Sequence, residues 1–366
     1  MLKKNTDPFM KRRLVVVVKY FHPIKRPSGI SSFLLELCRN LSDLYDLHVV
    51  SIKHGENVVS PIKHSGFTIH KVSRPFPLCA GIKAYSLKPD ILITFSGIIN
   101  PMQALLYFGF IRIISMAPYS IFTQCTHFSL NTLQINSLSK YFFNRFVGMG
   151  PEIYNYLNTI SDGGATMISP AVNISQLENI VPVKKNANFF RIGFFGHFSY
   201  GKGVDRLINV FIKLNMPNTD LFLAGGRGSL LEMAKKTAKK HNNIKLFTYV
   251  ENVLSYIKSC DIVVLPYRTS VSVLGTAQTA IEAMAMGVPC IGTNTPALSH
   301  LINNDINGYI INSEKELQDR IYHMIKAPKK RIALGINAKK TIQEYYTIEK
   351  IALKFNHTII NSIKTI

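Results

Sequence analysis

The stretch from Gly193 to Gly203 combines residue types that suit the binding of an anion. It reads GFFGHFSYGKG and follows an apolar run. Glycine lets a backbone approach a ligand closely, and a helix that begins near Gly203 would direct unpaired N–H groups at it. Lys202 at the helix start and His197 at the strand end would place one fixed cation and one titratable donor on a diphosphate. The alternative is an ordinary strand-to-helix turn with a solvated lysine.

A second stretch whose residues could take part in chemistry covers residues 274–289. Gly275 and Thr276 stand where a helix would begin, which predicts a second set of unpaired amides for phosphate, with Thr276 as the helix cap. Glu282 follows inside a helix of otherwise small and apolar residues, so it is buried or faces a cleft. A buried carboxylate needs hydrogen-bond donors such as ribose hydroxyls. The alternative is a structural ion pair with a lysine or arginine elsewhere.

The second half of the chain predicts the elements that position these residues. A strand over 191–196 leads through the Lys202 loop into a helix over 204–214. Further strands are expected at 221–224, 244–250, 262–265, 288–292 and 308–311, and helices at 230–240, 253–259, 277–286 and 314–325. Such alternation predicts a parallel sheet flanked by helices.

The first half repeats the pattern. Strands are expected at 14–18, 47–52, 89–95 and 111–116, and a helix at 30–41. The fold class is therefore α/β, with two Rossmann-like domains. The predicted boundaries are an N-terminal domain over 1–180, a C-terminal domain over 181–345, and a C-terminal helix over 346–366 that returns to the first domain.

Composition restricts the partners. The net charge of +22 favours polyanions, phosphorylated small molecules or an anionic membrane surface. Nucleic acid is not expected, because the basic residues are spread over both halves and no nucleic-acid module stands out. The five cysteines lack the spacing of a disulfide framework or a zinc site, so a reducing cytoplasm fits best.

A long apolar region over 91–140 carries a single charge, Arg112, before Lys140. Polar residues and prolines interrupt it, so its apolar runs are shorter than the roughly 20 residues that a spanning helix needs. It is either buried α/β core or a surface that dips into lipid or holds a lipid substrate. The apolar run 14–18 is too short for a signal-peptide core, so we expect the start of the chain to be mature protein.

Taken together, the motifs of the second half resemble those of the GT-B glycosyltransferases, in particular glycosyltransferase family 4. The first half matches more loosely, through its strand, a loop that ends at Gly29, a helix, and the Lys88-Pro89-Asp90 triplet before a strand. The matching motifs are Gly193, Gly196, His197 and Gly203, Leu223-Ala-Gly-Gly226, Asp261-Ile-Val-Val-Leu-Pro266, Ile281-Glu-Ala-Met-Ala-Met-Gly-Val-Pro289 and Asn307-Gly308.

The resemblance implies a GT-B fold, in which the two Rossmann-like domains face each other across a cleft. It implies a retaining glycosyltransferase of the hexosyltransferase type, which moves a sugar from a nucleotide-sugar donor to a glycan or lipid-linked acceptor in cell-surface polysaccharide biosynthesis. The nucleotide sugar is then a co-substrate, and neither a metal nor another cofactor is expected. The expected location is the cytoplasm, with peripheral attachment to the cytoplasmic face of the membrane.

The same resemblance assigns roles to residues. Lys202, His197 and His127 are expected in catalysis, although a histidine in an apolar stretch such as His127 is more often a core residue. Donor contacts are expected from Gly29, Gly196, Arg268, Gly275, Thr276, Ala277 and Glu282. The aromatic residues near Arg112, together with Lys25 and Arg26, would suit a polyprenyl diphosphate.

Two positions depart from the family pattern. His197 occupies the place of an arginine, and histidine is a weaker, pH-dependent cation, so donor binding would favour mild acidity or use Arg268. Leu274 occupies the place of an earlier glutamate, eight residues before Glu282. These departures leave a second hypothesis open, in which the chain is a non-catalytic nucleotide-sugar-binding protein or an inactive partner of a transferase.

Overall fold

A computed structural model describes residues 11–21, 29–53, 60–98, 100–125, 142–161, 163–269 and 276–364. The chain divides into two compact units. Unit 1 comprises Met1–Met149, Ile153–Ile168 and Ala352–Ile366, and unit 2 comprises Gly150–Glu152 and Ser169–Ile351. The chain therefore changes unit after residues 149, 152, 168 and 351. The domain boundaries at 180 and 345 stay predictions.

Unit 1 contains, among its described residues, an eight-stranded sheet in the order β3-β4-β2-β1-β5-β6-β7-β8. All neighbouring strands are parallel except β3 and β4. The strands are β1 (Arg13–Val18), β2 (Asp46–Ile52), β3 (Ile62–His64), β4 (Phe67–Val72), β5 (Ile91–Ser96), β6 (Tyr119–Gln124), β7 (Arg145–Gly148) and β8 (Ala165–Met167). Strand β1 is buried from Leu14 to Val18, as its continuous β-branched run predicts for a strand covered on both faces.

The helices around this sheet include α1 (Gly29–Ser42), α2 (Phe76–Ser86), α3 (Pro101–Ser115) and α4 (Pro151–Ile160). The strand predicted at 111–116 is wrong, since those residues end α3 and the next strand is β6. Helix α3 begins with Asn100, whose side chain accepts the Gln103 amide, and ends at Met116 in the left-handed region.

Unit 2 contains, within the described ranges, a six-stranded parallel sheet in the order β11-β10-β9-β12-β13-β14. The strands are β9 (Phe190–Phe195), β10 (Thr219–Ala224), β11 (Ile244–Phe247), β12 (Ile262–Leu265), β13 (Cys290–Thr293) and β14 (Gly308–Ile311). The helices are α5 (Ile174–Glu178), α6 (Val204–Leu214), α7 (Leu231–Lys240), α8 (Val253–Lys258), α9 (Gln278–Ala285), α10 (Pro296–Ser299), α11 (Glu314–Lys326) and α12 (Pro328–Tyr345). This alternation confirms the α/β class.

Both faces of the unit 2 sheet are covered by apolar side chains. On β9, Ile192 and Phe194 pack into a cluster with α6, and Phe195 packs into a second cluster with α9. Since successive strand residues point to opposite faces, β9 is anchored from both sides. The positions at its carboxyl end are therefore held rigidly.

Helix α13 (Ile348–Lys364) ends the described chain. Its Asn356 side chain accepts the hydroxyl of Tyr45 at 2.6 Å, and the Phe355 ring stacks on Phe95 at a centroid distance of 5.8 Å. Phe355 is fully buried. Phe355 of α13 is therefore part of the unit 1 core.

Candidate functional site

The carboxyl ends of β9 and β12 form the topological switch point of unit 2. The chain moves from β9 to β10 and β11 on one side, then returns to β12 on the other side of β9. Ligands of open parallel sheets bind at such a point, beyond the carboxyl ends of the strands. A Cβ atom on Gly203 would lie 2.0 Å from the Pro266 carbonyl oxygen, and the Gly203 φ angle is +68°. The loops after β9 and β12 thus pack as closely as a glycine allows.

The loop after β10 joins the same place. A Cβ atom on Gly225 would lie 2.0 Å from the Gly196 carbonyl oxygen, and the Phe198 amide donates to the Arg227 carbonyl at 2.8 Å. Gly196 itself has a φ angle of +153°, and nothing lies within 4 Å of a Cβ atom built on it. The space beside its Cα atom is therefore open.

Lys202 lies in a short 3₁₀ turn between β9 and α6. Its ammonium nitrogen is 4.0 Å from the centre of the Tyr267 ring, and we find no ion pair for it among the described residues. Burial lowers the pKa of Lys202 to about 8. Lys202 thus has little contact with solvent and no carboxylate partner among the described residues. This environment favours an anionic ligand, because such a ligand would stabilise the charged form of the lysine.

His197 lies beside Arg227, an arginine that the motifs described above do not include. Arg227 Nε donates to His197 Nε2 at 3.2 Å, so this ring nitrogen carries no proton. Partial burial, Arg227 and Lys202, in that order, lower the pKa of His197. The sequence leads us to expect His197 as a cation, but in the structure it is a neutral hydrogen-bond acceptor. Arg227 carries the charge instead. The sequence feature that could have indicated Arg227 is Gly-Gly-Arg-Gly, which directly follows β10.

Arg268, expected to supply a further cation, is neutralised within the unit. Its guanidinium donates to both carboxylate oxygens of Asp205, at 2.8 and 2.7 Å, and to the Tyr200 carbonyl at 2.9 Å. It also lies 4.0 Å from the centre of the Tyr200 ring. Hydrogen bonding from Arg268 lowers the pKa of Asp205. This bidentate pair fastens α6 to the loop after β12, which is a structural role.

The start of α9 also differs in detail from the prediction. Ala277, not Thr276, is the residue that precedes the helix, and no side chain caps it. The buried Thr276 hydroxyl is instead 2.6 Å from His300 Nε2, while His300 Nδ1 is 2.6 Å from the Pro296 carbonyl. Since Nδ1 must donate to that carbonyl, the hydroxyl donates to Nε2. Ala277, expected to contact the donor, donates its amide to the Ala297 carbonyl at 3.1 Å.

The amides of Gln278 and Thr279 remain for a ligand. They form the first turn of α9, where no carbonyl of the helix can reach them, and they have no acceptor within the described part of the chain. The Thr279 hydroxyl donates to the Phe195 carbonyl at 3.4 Å, so this turn lies against the end of β9. Unpaired amides at this helix start are thus found at Gln278 and Thr279, beyond the Gly275 and Thr276 positions that the sequence predicts.

Glu282 lies one turn further along α9. Burial raises the pKa of its carboxyl to about 7, and a hydrogen bond from Gln278 opposes that rise. Gln278 Nε2 donates to Glu282 Oε1 at 3.1 Å, and Gln278 Oε1 is buried without a partner among the described residues. No cation pairs with Glu282 within the described ranges, in contrast to the ion-pair alternative. Its carboxylate is available to hydroxyl donors.

Some predicted positions cannot be placed. His127, Gly275 and Leu274, together with Lys25 and Arg26, lie outside the described residues. Gly29 is the first residue of α1, at the end of the loop that follows β1. In the described ranges, no three His, Cys, Asp or Glu side chains are arranged to hold a metal ion. No helix in those ranges has the length and apolarity to cross a bilayer.

Residues 175–341 match the model of the family described as glycosyl transferases group 1. The match covers less than half of the chain. It includes every unit 2 residue described above from Lys202 to Glu282, so the cationic loops, the α9 amides and the carboxylate all lie in the part that is similar to this family. The curated relatives align over a similar extent.

Two of these relatives take part in surface polysaccharide synthesis according to their names. The capsular polysaccharide biosynthesis glycosyltransferase CapM of Staphylococcus aureus is 25% identical over 173 residues, which is 45% of this chain and 44% of that protein. The O-antigen biosynthesis glycosyltransferase WclY of Escherichia coli is 22% identical over 169 residues, 45% of each chain. The alignments thus span less than half the length of these relatives.

Solved structures match nearly the whole chain. Sucrose-phosphate synthase from Thermosynechococcus elongatus has a TM-score of 0.77 at 16% identity, covering 96% of this chain and 99% of that one. Anabaena HepE in complex with UDP-glucose has a TM-score of 0.76 at 15% identity, covering 95% and 99%. At such identity the likeness concerns the fold, which is GT-B.

Proposed function

We propose that the chain is a retaining glycosyltransferase that transfers a sugar, of hexose type, from a nucleotide-sugar donor to a glycan or lipid-linked acceptor during cell-surface polysaccharide biosynthesis. Support comes from the match to the group 1 family, from relatives named for capsule and O-antigen synthesis, and from a structural neighbour solved with UDP-glucose. The proposed location is the cytoplasmic face of the membrane.

The observation that carries the proposal is the group of unpaired donors at the ends of β9 and β10. Lys202 and Arg227 are cations without a carboxylate partner in the described ranges, and His197 lies in contact with Arg227 and within the electrostatic reach of Lys202. The Gln278 and Thr279 amides lie against the same strand end. These groups match the oxygens of a diphosphate in charge and in donor number.

The proposed reaction uses this arrangement. The bond between the anomeric carbon and the diphosphate oxygen breaks, an acceptor hydroxyl oxygen bonds to that carbon, and the hydroxyl proton leaves with the diphosphate. Negative charge grows on the leaving oxygen, and fixed cations and amides that are already in place stabilise it without reorganisation. Lys202 and Arg227 supply that charge, and His197 orients the Arg227 guanidinium.

Glu282 serves the nucleoside part of the donor in this proposal. Its carboxylate accepts ribose hydroxyls, and the unpartnered Gln278 Oε1 beside it offers one more acceptor. Gly196 supplies the open backbone next to the phosphates. The acceptor is assigned to unit 1, and Gly29 keeps the donor contact that the resemblance implies.

The test is isothermal titration calorimetry with the diphosphates of uridine, guanosine, adenosine and thymidine. One base series should bind, with uridine tried first. Lys202→Met and Arg227→Met should each weaken that binding by roughly 10- to 100-fold, the effect of losing one charge-assisted hydrogen bond. Lys213→Met, an exposed lysine at the end of α6, is the matched control and should bind as the parent does.

Transfer itself is measured with the matching labelled nucleotide sugar and a membrane extract as acceptor source. Label should enter the lipid-linked fraction with the parent and not with Lys202→Met. If no nucleoside diphosphate binds, or if both methionine variants bind as tightly as the parent, the proposal is wrong. Binding without transfer would instead support the non-catalytic alternative.

A further inference from the structure

Helices α2 and α3 expose large apolar side chains in two regular rows. Each row has spacings of four and then three residues, so its members lie on one side of their helix. The exposed fractions range from 42% to 58%. The residues, together called the α2–α3 face, are Leu78, Ile82 and Tyr85 on α2 and Leu106, Phe110 and Ile113 on α3.

The two rows point the same way. On α2 the buried row centres on Ala80, and on α3 it centres on Phe108, and both residues belong to the core cluster that covers one face of the unit 1 sheet. With 3.6 residues per turn, each exposed row lies roughly opposite the buried row of its helix. The helices themselves pack side by side, since a Cβ atom on Gly81 would lie 2.8 Å from Ile114. The rows therefore form one continuous outer face.

The charged side chains of these two helices have one sign. Neither helix contains an acidic residue, while α2 carries Lys83 and α3 carries Arg112. Asp90 is the only acidic residue in the sequence between Glu56 and Glu152, and its carboxylate accepts the Arg13 amide at 2.7 Å. An apolar face with a cationic border complements a surface that is apolar inside and anionic at its boundary.

One end of the face meets a cationic cavity of about 540 Å³. It is lined by Lys19 and Arg74, by Phe76 at the start of α2, and by Tyr107, the neighbour of Leu106. The Lys19 ammonium nitrogen is 5.6 Å from the centre of the Tyr107 ring, and we find no carboxylate paired with it in the described residues. Phosphate groups at the edge of the face would thus meet cations.

We propose that the α2–α3 face docks on an anionic phospholipid bilayer, with the six apolar side chains among the upper acyl chains and with Lys19, Arg74 and Lys83 at the lipid phosphates. The proposal rests on the proposed function for its purpose, which is to bring a lipid-linked acceptor within reach. Binding to vesicles tests the docking proposal without any transfer reaction. The docking proposal and the proposed function can therefore fail separately.

The chain contains no tryptophan, so one can be introduced as a reporter. Phe110→Trp should emit at shorter wavelength with vesicles of phosphatidylglycerol and phosphatidylcholine, and brominated acyl chains should quench it. Ile336→Trp is the matched control, because Ile336 lies on α12 of unit 2 and is 65% exposed. Its emission should not change. Vesicles of phosphatidylcholine alone should bind much less of either protein.

Substitutions then measure what the face contributes. The pair Ile82→Glu and Phe110→Glu should lower vesicle partitioning at least tenfold, because two large apolar groups no longer enter the membrane. Arg74→Ala should lower it roughly fivefold. Ile336→Glu should leave it unchanged. Equal partitioning of the double variant and the parent overturns the proposal, as does an unshifted emission of the bound Phe110→Trp variant.

A second copy of the chain is the other occupant that this surface allows. Sedimentation equilibrium of the parent and of the Ile82→Glu, Phe110→Glu pair decides this point. A parent that stays monomeric and binds anionic vesicles supports the proposal. A parent dimer that the two substitutions dissociate, with no binding to vesicles, overturns it.

Discussion

Glu282→Gln should make the ligand-free protein more stable at alkaline pH and leave its stability unchanged in acid. Burial raises the pKa of Glu282 from 4.5 to about 7 in the folded protein. The folded state then holds the proton more tightly than the unfolded chain does, so stability falls as the pH rises from 4.5 to about 7 and is constant beyond. Each pKa unit corresponds to about 1.4 kcal/mol, which gives a loss of about 3 kcal/mol at pH 8.

Glutamine is neutral at every pH and keeps an oxygen for the Gln278 amide, so the variant should escape this loss. For a unit of this size, a gain of about 3 kcal/mol raises the melting temperature by roughly 6–12 °C. Differential scanning calorimetry of parent and variant from pH 4.5 to 8.5 measures the difference. Glu251→Gln, an exposed glutamate in the loop after β11, is the control and should follow the parent. A difference between Glu282→Gln and parent that does not change with pH would refute the reasoning.

Glu282 should also make the affinity for the donor nucleotide depend on pH. Ribose hydroxyls donate to the ionised carboxylate, so binding below pH 7 should release a proton from Glu282. The affinity of the parent for its nucleoside diphosphate should therefore rise by nearly tenfold per pH unit as the pH approaches 7. Glu282→Gln should bind more weakly and lack that slope. Calorimetry in buffers of different ionisation enthalpy counts the proton directly.

Three further outcomes are expected. Nucleoside diphosphate affinity should fall as the pH rises above about 8, where Lys202 begins to lose its proton, and Lys202→Arg should extend the plateau to higher pH when titrated by calorimetry. Arg268→Ala should lower the free energy of unfolding by about 1–3 kcal/mol in urea, because it breaks the bidentate pair with Asp205, while nucleotide affinity stays within roughly twofold of the parent. Gly203→Ala should abolish nucleotide binding, because its Cβ atom meets the facing carbonyl at 2.0 Å, whereas Gly163→Ala, at φ +83° with nothing within 4 Å, should cost only about 1–2 kcal/mol and leave binding intact.

The elements of unit 2 could be predicted closely from the sequence. The helix expected at 204–214 is α6 with the same bounds, and the strands expected at 262–265 and 308–311 are β12 and β14. Each has a short apolar run or a regular helical spacing between turn residues, so local pattern and tertiary environment agree. Because of that agreement, the α/β class could be predicted from the sequence without knowledge of any tertiary contact.

The end of α3 shows where such a pattern fails. Residues 111–116 are rich in isoleucine and read as a strand, yet they complete a helix that started ten residues earlier. Length distinguishes the two, and the apolar run by itself does not. Because the outward residues of α3 are apolar as well, the helix lacks the polar face that would have revealed its period.

The sequence by itself determined the α/β class and the place of the glycine-rich loop, because glycines, a strand and a helix start are local features, and it singled out Lys202 and Glu282 as candidates. Only the tertiary structure decided which charges are available. Asp205 and Arg268 are 63 residues apart and neutralise each other, while Arg227 reaches His197 across 30 residues. The Ala297 carbonyl likewise accepts a hydrogen bond from the Ala277 amide, which is distant in the sequence. Hydrogen bonds and ion pairs form between groups that folding brings within about 3 Å, and separation along the chain carries no information about that distance.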